Sequence, residues 1–296
     1  MKKEKLIGAE AFDQYYSQIF ESRYDSLKKS LTPEISHTEL KFQNCESYFL
    51  DAASIVSALC LPVHGSEKVL DLCAAPGGKT LVLAGNLDDE ASMFSNERSP
   101  ARKTRLAKVV AESLPSEINE RITVSCSDGA TWCKREVENY DSILLDAPCS
   151  SERHVLNDPK YLDVWTPSRI KTICMEEWAL LSCAFRLLKN NGFLLYSTCA
   201  LCPAENDEII KKLLKKNQNV RIVSKDEVKN YFEKNLSSHK AEFICPENVS
   251  LEKIFSYAEQ TEYGFHVLPD TSNGAGPLYF CLIQKMNLEQ PQSQEV

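Results

Sequence analysis

The sequence predicts an α/β fold: a mostly parallel sheet covered by helices on both faces. Two observations carry this. From about residue 66, short apolar runs alternate with helical stretches at the spacing of strand–helix–strand units. One of those runs ends in a Pro-Gly-Gly turn, as a buried parallel strand feeding a helix would. The first strand is read at Lys68–Ala74, and four more at Met93–Asn96, Ile122–Cys126, Ser142–Asp146 and Phe193–Ser197. Helices fall between them at Pro100–Ser113 and Pro167–Lys189, each with proline near its start. Asn190-Asn191-Gly192 reads as the stop signal of the second. Residues 1–50 lack this rhythm. There Phe12, Tyr15, Tyr16, Ile19, Phe20 and Tyr24 recur at helical spacing, an aromatic stripe expected to pack on the main body. After Pro203 comes a helix containing KKLLKK, then a polar stretch to about residue 260. Gly264–Leu268 and Leu278–Ile283 flank a Gly-Pro loop and suggest an antiparallel hairpin. The last residues, 286–296, read as a disordered tail.

Composition narrows the class. The chain has 296 residues, 43% of them hydrophobic and 26% charged, the proportions of a globular protein. No apolar run approaches the roughly 18 residues that span a membrane, and MKKEKLIGAE has no apolar segment of a secretory signal. Glu4, Glu10 and Asp13 before Arg23 argue against a mitochondrial presequence. The 12 cysteines, scattered from Cys45 to Cys281, read as reduced thiols of a cytoplasmic protein, so the sequons at Asn235 and Asn248 carry no meaning. The net charge of −8 weighs against an unaided grip on nucleic acid.

DLCAAPGGKT, Asp71 to Thr80, delivers a strand into a glycine turn and then a helix N-terminus. The dinucleotide pattern G-x-G-x-x-G is absent, and the phosphate loop fails because Cys73 stands where its first glycine belongs. Glu97 ends the second strand, where a carboxylate accepts from ribose hydroxyls, and Asp128 follows the third, where it can meet an adenine edge. Either acid alone reads equally well as a surface residue. Placed together at successive strand ends, they favour a ligand with adenosine and no phosphate.

DAPCSS (Asp146 to Ser151) and STC (Ser197 to Cys199) follow the fourth and fifth strands, so both open at the same sheet edge as the glycine loop. A thiol does chemistry only as a thiolate. Cys45, Cys60, Cys126, Cys174, Cys183 and Cys281 are assigned to packing. Cys199 and Cys202 form a C-x-x-C, but no second pair completes a zinc set, and no metal is expected.

In this order DLCAAPGGKT, DAPCSS and YSTC resemble the Sun/Fmu-type RNA cytosine-carbon-5 methyltransferases, over about residues 45–217 and the terminal GPLYF strand. FDQYYSQIFESRYDSLKKSL and GFHVLPD with GAGPLYFC look most like the compact organellar members, which lack a fused RNA-binding domain. The resemblance implies a Rossmann-like class I methyltransferase, with a helical extension at 1–50 and a catalytic domain at 51–285. Its cofactor is S-adenosylmethionine and its substrate is RNA, rRNA before tRNA. It assigns the nucleophile to Cys199, product release to Cys149, and the cytosine ring edge to Asp146. Cys73, Ala74, Ala75, Pro76, Gly77, Gly78 and Lys79 would wrap the methionine part. Glu97, Arg102, Asp128, Gly129 and Asp146 would complete the cofactor site. Related DNA enzymes use the PC cysteine as nucleophile, so the division of roles rests on resemblance. After DAPCS many bacterial members carry a Gly-containing loop; here SERHVL puts Arg153 and His154 either against RNA or on a surface loop. The alternative reading is a ribosome-assembly factor with a vestigial site. No segment is basic overall, although Arg98–Arg121 is locally basic, so binding is expected to need a folded RNA, a ribosomal particle or a basic partner.

Overall fold

The computed structural model describes residues 6–287. Of the tail expected at 286–296, residues 288–296 lie outside the described residues, whereas Met286 is ordered, its N donating to the Asn219 carbonyl at 2.8 Å. Strands β1 (His37–Lys41) and β2 (Tyr48–Asp51) come first. Five parallel strands follow: β3 (Lys68–Asp71), β4 (Ser92–Asn96), β5 (Ile122–Ser125), β6 (Tyr140–Asp146) and β7 (Leu188–Thr198). Then come β8 (Val220–Ile222), β9 (Glu242–Ile244), β10 (Glu259–Gln260), β11 (Phe265–Val267) and β12 (Leu278–Lys285). The main sheet runs β10-β11-β12-β7-β6-β3-β4-β5, with β8 also on β12. β12 lies antiparallel to β7 and pairs antiparallel with β11, the hairpin expected from the sequence.

Both faces of this sheet are buried, which is why its central strands read as unbroken apolar runs. Val69, Met93, Leu144 and Leu195 face one core, with helices Ala52–Leu59 and Gly78–Ala84. Leu70, Ile143, Leu145 and Leu194 face the other, under helix Ser168–Leu187. A third core takes the aromatic stripe: Phe12 and Tyr16 of helix Ala9–Phe20 stack around Trp165 with Val155 and Leu201. The stripe packs as expected, and it packs on the two loops that carry the sequence motifs.

The structure corrects three expectations. Helix Ser168–Leu187 stops before Asn190, and Asn190-Asn191-Gly192 lies inside β7 as an irregularity opposite Tyr140–Ser142. Asn191 takes φ 64°, and a Cβ on Gly192 would stand 2.7 Å from the Asp141 carbonyl oxygen, so turn-type residues are required within a strand. The segment 1–50, read as helical, holds β1 and β2. They form a second sheet with β9 from the polar stretch, in the order β2-β1-β9. The first main strand ends at Asp71 rather than Ala74, because Leu72 and Ala74 bond across to Leu144 and Asn96 as the chain turns. The Asn235 sequon is buried, its amide donating to the carbonyls of Leu59 and Leu61 at 2.8 and 2.9 Å, out of reach of a glycan. Among the described residues no helix is long and apolar enough to cross a membrane.

Candidate active site

Strand order reverses at β3, with β4 and β5 on one side and β6 and β7 on the other. In an open α/β sheet the crevice at the carboxyl ends of such strands takes the ligand. The glycine loop opens there. Gly77 has φ +121°, and a Cβ on it would stand 3.0 Å from Val109, so only glycine serves this turn. Asp71 is buried at its base; Thr80 Oγ1 donates to Oδ2 at 2.7 Å, and Oδ1 has no partner. Burial pushes this carboxyl up to about 7, the Thr80 bond opposing.

Asp146 ends β6, Ser197 is the last residue but one of β7, and the two are register partners. Ser197 Oγ therefore donates to Asp146 Oδ1 at 2.8 Å, while Lys79 Nζ donates to Oδ2 at 2.8 Å. Burial lowers Lys79, but Asp146 more than offsets it and the ammonium is held above its ordinary value. Three residues past Asp146 and two past Ser197, the chain places Cys149 Sγ 2.8 Å from Cys199 Sγ. Ser151 Oγ contacts both, at 3.5 and 3.3 Å. The shared contact splits the pair: it is the first cause lowering Cys199 below its ordinary value, and with burial it pushes Cys149 well up. Cys199 is thus the better thiolate, and Cys149 the proton-bearing neighbour. Cys73, also on this edge, is pushed up by burial and stands as a thiol.

Two cavities meet at these residues. The larger, about 1030 Å³, is walled by Pro33, His37, Tyr48, Lys79, Arg153 and His154 among others. The smaller, about 400 Å³, contains Glu97, Arg102, Asp128, Gly129 and Leu180. Cys73, Ala75, Pro76, Asp146, Ala147, Ser151 and Cys199 line both, so the thiolate candidate stands on the shared wall. Glu97 is buried at the end of β4, accepting from Ser99 N at 2.8 Å and lying 3.4 Å from Arg102. Arg102 Nη2 donates to the Ala75 carbonyl at 2.6 Å, so it braces the glycine loop as well as reaching the cavity. Asp128 caps the turn at Gly129, accepting from Ala130 N at 3.0 Å. Four carboxylates, Glu97, Asp128, Asp146 and Glu176, line this space, while Arg102 is engaged and Arg98 pairs with Glu176. That set of acceptors fits a cationic, hydroxyl-bearing ligand and disfavours a phosphate. Gly77 lies outside both linings and serves the turn alone.

Sequence reasoning missed the groups behind the cysteines. Glu152, Glu177 and Glu205 are fully buried there. Glu152 accepts from Tyr16, Ser150 and Leu201, and Glu205 Oε2 accepts from Ser150 N. Both oxygens of Glu177 and Oε1 of Glu205 have no partner. Burial, and then the charge of Glu205, pushes Glu177 up to about 10; burial and Glu152 bring Glu205 to about 7. Raised acids hold protons in the folded chain that the unfolded chain releases above 4.5. Stability from Glu177 is therefore lost as pH rises from there towards about 10. Glu177→Gln is expected to flatten the fall of Tm between about pH 5 and pH 9 in thermal unfolding. An unchanged slope would contradict this. Arg153, left open between RNA and a surface loop, sits on helix Glu152–Asn157 and donates to the Pro33 and Gly274 carbonyls. Cys202 is buried against Tyr15, away from Cys199's chemistry, and no cluster of metal-ligating residues occurs among the described residues.

The model of one family, described as 16S rRNA methyltransferase RsmB/F, matches residues 58–260. The chain is 30% identical over 247 residues to the 5-cytosine rRNA methyltransferase NSUN4 of Mus musculus, covering 81% of this chain and 60% of that protein. It is 29% identical over 242 residues to the mitochondrial tRNA (cytosine(34)-C(5))-methyltransferase of Danio rerio, covering 81% and 60%. It thus spans about three-fifths of the length of these relatives. A crystal structure of a methyltransferase homologue from Pyrococcus horikoshii superposes with a TM-score of 0.66 at 19% identity, covering 93% of this chain and 94% of that one, which shows the same fold. The motif resemblance and the family match agree, and the chain belongs to the 16S rRNA methyltransferase RsmB/F family.

Proposed function

We propose that this protein transfers a methyl group from S-adenosylmethionine to carbon 5 of a cytosine in RNA, through a covalent bond between Cys199 and carbon 6 of the base. The observation that carries this is the sulfur pair, 2.8 Å apart, with Cys199 and Asp146 on the wall common to two cavities and Cys149 lining the smaller. The smaller cavity suits the cofactor. Glu97 would accept from the ribose, Asp128 would face the adenine over Gly129, and the methionine end would pass Cys73, Ala75 and Pro76 of the shared wall towards Lys79 in the larger cavity. The bound cofactor supplies an electrophilic methyl group on a sulfonium. The larger cavity suits a base taken out of its stack.

Cytosine carbon 5 is a weak nucleophile. Addition of the Cys199 thiolate at carbon 6 pushes electron density onto carbon 5, which then takes the methyl group. Asp146, held by Lys79 and Ser197, faces the ring-nitrogen edge and stabilises the charge that develops there. Loss of the carbon-5 proton then expels Cys199, with Cys149 assisting release. Two thiols in contact suit a reducing compartment, for which we read the cytoplasm, with a mitochondrial location the alternative that the family resemblance implies.

We favour rRNA over tRNA. With a net charge of −8, affinity would come from a folded RNA, a ribosomal particle or a basic partner. The test is transfer of labelled methyl from S-adenosylmethionine to undermodified total RNA, followed by bisulfite sequencing. One or a few cytosines should become 5-methylcytosine. No transfer to any RNA would support the vestigial alternative, and transfer to DNA or free nucleosides would change the substrate class.

A further inference from the structure

The loops after β6 and β7 are tied by two reciprocal bonds. Ser150 N, next to Cys149, donates to Glu205 Oε2 at 2.7 Å, and Glu205 lies six residues beyond Cys199. Leu201 N, two residues beyond Cys199, donates to Glu152 Oε2 at 3.0 Å, and Glu152 lies three residues beyond Cys149. Each loop thus carries the carboxyl that accepts the other loop's amide. Both carboxyls are fully buried, where no water offers a substitute acceptor. The Glu152 end is fixed further by Tyr16 of the amino-terminal helix and by the Ser150 hydroxyl.

We infer that Glu152 and Glu205 are positioning residues that hold the two cysteines in contact, each fixing the loop of the cysteine it does not adjoin. This rests on the proposed reaction only for its catalytic consequence. The crossing makes the two losses differ. Removing the Glu205 carboxyl frees the Cys149 loop, so the step that resolves the RNA adduct suffers and adduct accumulates. Removing the Glu152 carboxyl frees the Cys199 loop, so adduct formation itself suffers. A purely structural role would lower both steps together.

The test has a readout that needs no RNA. Diamide takes two electrons and two protons from a thiol pair and leaves a disulfide, and its rate reports how often the sulfurs meet. Glu152→Ala and Glu205→Ala are expected to slow Cys149–Cys199 cross-linking about tenfold, the scale of one buried hydrogen bond. Glu152→Gln and Glu205→Gln keep an acceptor oxygen and should return the rate to within about threefold of wild type. Wild-type rates in the alanine chains, or glutamine chains as slow as alanine, would overturn the inference. If an alanine chain does not fold, amide exchange in the wild-type protein decides. Slow exchange at Ser150 and Leu201 supports the ties, and open-loop rates overturn them. With RNA present, Glu205→Ala should accumulate adduct and Glu152→Ala should fail to form it. If cross-linking behaves as expected while no chain, wild type included, forms an adduct, the proposed reaction fails and the positioning role stands.

Discussion

Replacing Cys199 with alanine is expected to lower methyl transfer by roughly 10⁴-fold or more and to abolish the covalent RNA adduct, as deletion of a covalent nucleophile does. Replacing Cys149 is expected to cost roughly 10²-fold in turnover while adduct accumulates, the scale of a lost proton-transfer group. The asymmetry follows from the sulfur contact. In that contact Cys199 is held below its ordinary value, while the contact and burial push Cys149 well up. Cys149→Ala removes that contact, so adduct formation should also shift to higher pH, towards an ordinary thiol. Denaturing gels of RNA complexes over a pH series measure both effects. Adduct in Cys199→Ala with none in Cys149→Ala would reverse the roles.

Asp146→Ala is expected to lower kcat/KM by about 10²- to 10³-fold, the loss that follows removal of one preorganised polar group from a reacting centre. The stability loss should be smaller. Breaking a fully buried pair costs about 3–5 kcal/mol, but Asp146 is 34% exposed against 11% for Lys79, so about 2 kcal/mol is expected. Activity and Tm measured together separate the two effects. Activity within tenfold of wild type would show that Asp146 does not act on the base.

Much of this was legible in the sequence because burial on two faces leaves a strong mark. VLD and ILLD read as strands since both sides of each pack against helices. Helix Pro100–Ser113 was legible to the residue, with Ser99 capping it and proline at its first position. The small sheet was not legible. β1 reads HTELK, with two buried residues among five, and one of its partners lies about 200 residues away. Asn190-Asn191-Gly192 misled because the same residues that stop helices also permit a bulge. Asp146, Cys149 and Cys199 were legible as candidates because motif and strand end coincide. Glu177 and Glu205 were not. On paper each is an ordinary helical or loop acid, and only the fold shows that they are buried behind the thiols. The wall of the larger cavity, from Pro33 to Tyr48, escaped for the same reason as the small sheet.

The central claim is that the Cys199 sulfur bonds to a cytosine of RNA. RNA substituted with 5-fluorocytidine tests it most directly, because a carbon-5 fluorine leaves no proton to remove and the adduct cannot resolve. Incubation with S-adenosylmethionine, protease and nuclease digestion, and tandem mass spectrometry should find a methylated fluorocytidine nucleotide on the peptide containing Cys199. The same mass on the Cys149 peptide, or no nucleotide on either cysteine, would contradict the account.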